Sequence, residues 1–293
     1  MNTEARNTLK GLAFIAPWIF GFLVFTLLPV CLSFYYSLTD HNLLQPAAFV
    51  GADNYREIAR DPIFWTSLIN TGYYAAVALP LGLTLALLAA VLLNTNVRGM
   101  AVYRTILYLP SLVPIVASAM LWMWLFNPNL GLINEALRAI GIVNPPGWLA
   151  STTWAMPALI LMSFWGVGNT MVIFLAGLQD VPKELYEAAE IDGAGPVKQF
   201  FNVTVPMLSP VIFFNLIMGI IGTLQYFAPA FIMTSGGPSR ATYFYTLFVY
   251  FTAFEDGRMG YASALAWIQL LIILALTGLA FWTSRRWVHY QGK

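Results

Sequence analysis

Residues 184–210 read ELYEAAEIDGAGPVKQFFNVTVPMLSP, a polar segment set between two long apolar runs. With the preceding residues included, the loop 180–206 holds Asp180, Glu184, Glu187, Glu190 and Asp192, five of the thirteen acidic residues in the chain. Pro182 suits the first turn of a helix, where its missing N–H would be unpaired anyway. Asp180 is the expected N-cap, and Glu184 sits near the positive end of the helix. Lys183 to Ile191 contain no breaker, and Gly193 can take the left-handed conformation that stops a helix after Asp192. The expected helix has about ten residues and is roughly 15 Å long. Gly195-Pro196 starts a second short helix, Val197 to Asn202, leading through Pro206 and Pro210 into the next apolar run. Ala188 and Ala189 leave one side of the first helix thin, open to a close-fitting partner, while Glu187 and Glu190 supply charge for orientation. A short helix tied to rigid elements transmits a push that a flexible loop would absorb.

The flanks are explained by the bilayer. The chain is 59% hydrophobic and 9% charged, against about 25% charged residues in soluble domains. Six apolar stretches, 12–36, 66–93, 105–126, 154–178, 210–234 and 260–284, each exceed the roughly 20 residues that a helix needs to cross the hydrocarbon core. The expected fold is therefore an all-α integral membrane domain of six transmembrane helices spanning 1–293. The first stretch follows Arg6 and Lys10 but is longer than a signal core and lacks a small-residue cleavage pattern, so it reads as a retained helix. With both termini inside, nine basic residues, from Arg6 to Lys293, face the cytoplasm and five face outward, as the positive-inside rule prefers. The polar loop then lies in the cytoplasm. A net charge of +1 with no basic run gives nothing for nucleic acid to bind. The single cysteine, Cys31, excludes a disulfide framework and a Cys-rich metal site, and reads as a small packing residue.

None of the 27 charged residues (14 basic, 13 acidic) falls inside the six stretches. Intramembrane charges mark ion pathways and proton relays, so a transported solute would be uncharged and its energy would come from elsewhere, a partner or sodium held by backbone carbonyls. Prolines 17, 29, 80, 110, 114, 157 and 229 interrupt the spans. Each removes a backbone donor, and the freed carbonyls need neighbouring helices or a wet cavity.

The pattern Glu187-Ala188-Ala189, three residues, Gly193, then Pro206 thirteen residues on resembles the EAA loop of the permease subunits of bacterial binding-protein-dependent ABC importers. The likeness continues along most of the chain and points to the carbohydrate-uptake branch, in the first-permease type of the maltose, trehalose and glycerol-phosphate-like systems. It is carried by Phe49-Val50-Gly51, Asn70-Thr71, Tyr103-Arg104-Thr105, Gly131-x-Ile133-Asn134, Trp148-Leu149, Gly236-Gly237-Pro238 and Gly260-Tyr261-Ala262. The resemblance implies a type I importer in the bacterial cytoplasmic membrane. A homologous second permease, two ATP-binding subunits and an extracytoplasmic sugar-binding protein would be its partners, with lipid around it. Glu184, Glu187, Ala188, Ala189, Asp192, Gly193 and Pro206 would couple the spans to the ATPase. The chain has no Gly-x-x-x-x-Gly-Lys-Ser/Thr motif, so ATP and Mg would be used by the partner, and no catalytic residue, cofactor or metal is expected here.

Alignment around the EAA loop brings Trp165, Asn169, Thr223, Gln225 and Tyr226 near sugar-holding positions of maltose-type permeases. Indole faces pack on sugar C–H surfaces, and amide or hydroxyl groups replace water at hydroxyls. The same residue types also serve as interfacial belts and helix glue. Gly219 and Gly222 fit either close helix packing or room for a solute. The alternative to an importer subunit is a self-sufficient secondary carrier or channel for a neutral solute, with the polar helix as a linker.

Overall fold

The computed structural model describes residues 3–42, 46–95 and 97–289; Lys293, counted above with the inward-facing charges, lies outside them. Two compact units are present, residues 1–61 with 249–270, and residues 62–248 with 271–293. The first contains α1 (Thr3–Phe22), α2 (Leu28–Ser37) and α3 (Asp53–Arg60). The second contains α4 (Pro62–Leu93), α5 (Met100–Tyr108), α6 (Ile115–Leu125), α7 (Leu132–Ala139), α8 (Ala155–Trp165) and α9 (Gly168–Gln179). It continues with α10 (Lys183–Ile191), α11 (Pro196–Gln199), α12 (Val205–Met207), α13 (Ser209–Leu224) and α14 (Ala228–Met233). Helices α15 (Tyr245–Phe254) and α16 (Met259–Ser284) have residues in both units.

Among the described residues, four helical stretches are long and apolar enough to cross a membrane: Gly11–Ser37, Pro62–Leu93, Ser209–Met233 and Met259–Ser284. Two bent pairs, α5 with α6 and α8 with α9, bring the total to six if each pair is one span. The protein is thus all-α, with apolar helices as its framework.

In the first unit, α1 joins α2 through a π-helical turn, Leu23–Leu27, two residues before Pro29. Proline has no N–H to give and its ring crowds the carbonyl four residues back, and a wider turn relieves both. None of the most apolar window of Gly11–Ser37 is buried within the chain. Cys31 is accordingly exposed within the chain, not packed as its apolar surroundings suggested. The end of α2 is tied to α3: Asn54 Nδ2 donates to the carbonyls of Ser37 (2.9 Å) and Thr39 (3.0 Å), and Tyr55 Oη donates to Ser37 Oγ (2.8 Å). Gly260 donates its N–H to the His41 carbonyl at 2.9 Å. A Cβ there would overlap the Thr39 carbonyl, which accounts for the glycine of the Gly260-Tyr261 pair.

In the second unit α4 packs against α8, α9 and α13. Ala86 and Ala90 of α4 let Met171, Phe174, Leu175 and Leu178 of α9 close in, with Leu208 sealing the same cluster. Gly219 is a close-packing residue, since a Cβ would strike Leu79 of α4, whereas Gly222 faces open space. Asn70 Nδ2 donates to the carbonyls of Arg240 (2.8 Å) and Tyr243 (3.2 Å), and Thr71 Oγ1 accepts the Tyr245 N–H (2.9 Å). The loop around α7 is built on fully buried Asn134, which donates to the carbonyls of Pro128 and Pro146 (3.1 Å each) and accepts from Trp148 Nε1 (2.7 Å).

Candidate functional site

Helix α10 begins at Pro182, the N-cap residue, with φ −60 and ψ 132 and no side-chain cap. The expected cap, Asp180, instead ends α9, its N–H bonded to the Gly177 carbonyl. Helix α9 runs on to Gln179, so three residues, Asp180 to Pro182, remain to make the turn, and the extended ψ of Pro182 completes it. Pro182 therefore precedes the first helical residue and does not occupy it.

The other end of α10 is closed by its own backbone. Gly193 N–H bonds the Glu190 carbonyl (2.9 Å) and Ala194 N–H bonds the Ala189 carbonyl (2.8 Å), with Gly193 at φ +76. This pair of bonds around a left-handed residue satisfies carbonyls that the last turn leaves loose. A Cβ at Gly193 would touch nothing within 4 Å, so the glycine is required by backbone conformation and not by space.

The returning segment is one continuous helical path, not the separate Val197–Asn202 helix read from the sequence. Helix α11 passes into a π-helical turn, Phe200–Thr204, and then through α12 into α13. Pro206 follows the turn by two residues, as Pro29 follows the other, and the same crowding explains it. Tyr186 Oη and Thr204 Oγ1 are hydrogen-bonded at 3.0 Å, and Gln199 Nε2 donates to the Ala194 carbonyl at 3.0 Å. The first bond ties α10 to the π-helical turn that leads into α13, and the second closes the connection between α10 and α11. Glu184, Glu187, Ala188, Asp192 and Gly193 are exposed, while Ala189 and Pro206 are partly covered. Beside the charges lie exposed apolar side chains, Ile191 (87% exposed), Val197 and Phe201.

Deep in the same unit three spans are interrupted. The chain bends by 98° between α5 and α6, where a 3-10 turn (Leu109–Leu112) is followed by Val113 and Pro114 in extended conformations. It bends by 46° between α8 and α9 at Gly166-Val167. Helix α13 stops at Leu224, and Gln225–Phe227 are irregular before α14. The interruptions meet around a cavity of about 300 Å³ whose lining includes Ser111, Ser118, Ser163, Trp165, Asn169 and Tyr226. Non-helical backbone at membrane depth is tolerated where it lines such a cavity. Serine hydroxyls near the breaks bend back onto the chain: Ser111 Oγ donates to the Tyr108 carbonyl and Ser163 Oγ to the Ile160 carbonyl, each at 2.6 Å. Gly168 allows the breaks to meet, since a Cβ there would lie 2.8 Å from the Leu107 carbonyl oxygen.

A second cavity of about 270 Å³ shares Ser163 and Gly166 with the first and includes Tyr74, Asn215 and Thr223. No charged side chain lines either one. Among the described residues no group of three or more His, Cys, Asp or Glu could hold a metal ion.

Residues 80–289 match the family described as binding-protein-dependent transport system inner membrane component. The chain belongs to this family. Similar proteins include the probable ABC transporter permease YesP of Bacillus subtilis (strain 168), 43% identical over 292 residues, covering 98% of this chain and 94% of that one. The lactose transport system permease LacF of Rhizobium radiobacter is 36% identical over 298 residues, covering 97% and 99%. The fold matches that of a solved bacterial ABC transporter involved in import of the acidic polysaccharide alginate, with a TM-score of 0.84, 23% identity and 97% of each chain covered.

Within this permease, Trp165, Asn169 and Tyr226 come together around the first cavity and Thr223 lines the second. The Thr223 hydroxyl already donates to the Gly219 carbonyl at 2.7 Å, leaving its lone pairs to accept. Gln225 lines neither cavity; it is the exposed C-cap of α13, its N–H bonded to Ile221. Sequence reasoning missed Ser111, Ser118, Ser163, Tyr74 and Trp122. Ser111 lies beside Pro110, so the break that the proline announces marks its position. Trp122 Nε1 and Tyr226 Oη are buried without a hydrogen-bond partner, and Trp122 meets Trp165 edge to face, with centroids 6.3 Å apart.

Proposed function

We propose that this permease is the membrane component of an ATP-driven importer for an uncharged sugar. The solute would pass the cavity beside Trp165, Asn169 and Tyr226, and the drive would arrive at α10. The observation that carries the sugar reading is the lining itself: aromatic faces, serine hydroxyls and one amide, with no charge. An indole packs on the C–H face of a sugar ring while amide and hydroxyl groups replace the water lost at its hydroxyls. A phosphorylated or carboxylated solute would find no counter-charge there. The name of LacF, a lactose transport permease, agrees with a neutral saccharide.

Helix α10 would seat in a groove of a separate ATPase, on the cytoplasmic side, where both termini would also lie. Glu184 and Glu187 would orient it, Ala188 and Ala189 would allow close backbone approach, Asp192-Gly193 would fix its end, and Pro206 would start the return into α13. Because Tyr186 ties α10 to the turn leading into α13, movement of the ATPase would reach the spans instead of dissipating in the loop. ATP and Mg belong to that partner in this scheme. A homologous second permease would complete the path, and an external sugar-binding protein would deliver the solute.

Affinity purification of the tagged chain from its native membrane, followed by uptake measurements with radiolabelled disaccharides, tests the proposal. Recovery of a second six-span chain and a P-loop ATPase, together with ATP-dependent uptake of a neutral sugar, is the expected result. A stable preparation of this chain alone that carries out gradient-driven flux in liposomes would overturn it in favour of a self-sufficient carrier.

A further inference from the structure

We propose that Tyr226 is a movable partition between the two cavities, seated on Tyr74 and Phe244. The proposal rests on the transport reading only in treating both cavities as parts of one path. The first cavity draws on residues 110–118 and on Tyr226 and Pro229; the second draws on residues 215–223 of α13. The second is therefore the nearer to the polar loop, from which α13 rises. They meet at Ser163 and Gly166, and Tyr226 lines one while Tyr74 lines the other.

The two tyrosine rings are 4.3 Å apart at an interplanar angle of 32°, and Phe244 meets both edge to face, at 5.1 Å from Tyr226 and 5.3 Å from Tyr74. The seat is fixed: Tyr74 belongs to α4 and is 2% exposed, and Phe244 is fully buried. The leaf is not fixed in the same way. Tyr226 lies in the irregular stretch between α13 and α14, outside any helical hydrogen-bond ladder. Its buried hydroxyl has the Tyr74 hydroxyl as its polar neighbour. A ring held by stacking at its face and, at its polar end, by one neighbouring hydroxyl can swing when an arriving hydroxyl competes for that partner. Apolar ring contact then closes the path again once the solute has left.

The test uses the complete transporter, free of nucleotide and sorted for orientation in vesicles, in a Cys31→Ser background. Thr170→Cys places a thiol on the second cavity, and a membrane-impermeant methanethiosulfonate reagent is added on the side away from the polar loop. Tyr226→Ala and Tyr226→Leu are expected to raise the modification rate about tenfold or more, since the rate follows the open fraction. Tyr226→Phe, which keeps the ring, is expected to leave it unchanged. An unchanged rate in the Ala and Leu variants, in complexes that still hold the ATPase, overturns the partition; so does an equal rise in the Phe variant. No sugar enters the assay, so a failure of the sugar reading would appear in uptake and not here.

Discussion

Gly193 and Gly168 both stand at helix ends, one in the polar loop and one beside the cavity, and they are glycines for opposite reasons. At Gly193 the surroundings are empty and the backbone is left-handed; at Gly168 the backbone is ordinary and the space is taken by the Leu107 carbonyl and the Tyr108 Cα. The loose ends nearby are also satisfied differently. The last carbonyls of α10 take backbone N–H groups, and the first turn can use water. Around the cavity Ser111 and Ser163 bend back onto carbonyls, because membrane depth offers few other donors. Charge follows the same division: acidic side chains crowd the loop, where water solvates them, and none reaches the cavities. The comparison teaches that one chain can make a well-closed exposed helix and an irregular buried cavity from the same helix-breaking residues. What differs is the solvent that must satisfy the break.

Gly193→Val should separate the two regions most sharply. A branched residue in the left-handed region costs about 1–2 kcal/mol, enough to unwind the end of α10, and ATP-driven uptake should fall at least about tenfold. Gly193→Asn, which tolerates that conformation, should recover most of the activity, and membrane insertion measured by fractionation should be normal in both. Equal loss in the Asn variant would show that side-chain space matters at this position after all.

Gly168→Ala attacks the other kind of glycine. Its methyl group must push backbone apart, so stability in detergent should drop by about 1–3 kcal/mol, read as a lower thermal unfolding midpoint. Gly168→Asn should be worse than alanine, the reverse of the order at Gly193. Within the cavity, Trp165→Ala should raise the half-saturating sugar concentration about fivefold, the value of one lost aromatic contact near 1 kcal/mol. ATPase association should be unaffected, measured by co-purification. The smallest effect is expected from Tyr186→Phe, which removes one hydrogen bond to Thr204 worth about 1 kcal/mol. It should lower the uptake achieved per ATP hydrolysed while leaving sugar affinity alone.

Much of this was legible in the sequence, because the bilayer imposes long charge-free runs and a break in one is conspicuous. The prolines at 110 and 114 marked the sharpest bend, and Gly193 was readable as a helix stop from its position after an unbroken run. Asp180 fits a helix cap by residue type alone, but it ends α9, whose reach depends on its packing with α4. Gln225, expected on the substrate pathway, is exposed and lines neither cavity. Ser118, Ser163 and Tyr74 were overlooked since a serine or tyrosine in an apolar run carries no sign of which face it occupies.

The sequence by itself determined the solvent, the helical class and the polar loop with its stop at Gly193, all consequences of local hydropathy and backbone preference. Only the tertiary structure decided which interruptions meet. Residues 110, 166 and 226 are far apart in the chain, and they surround one cavity because Gly168 and the small residues of α4 let separate helices approach closely. That is a property of packing between spans, and no single span encodes it.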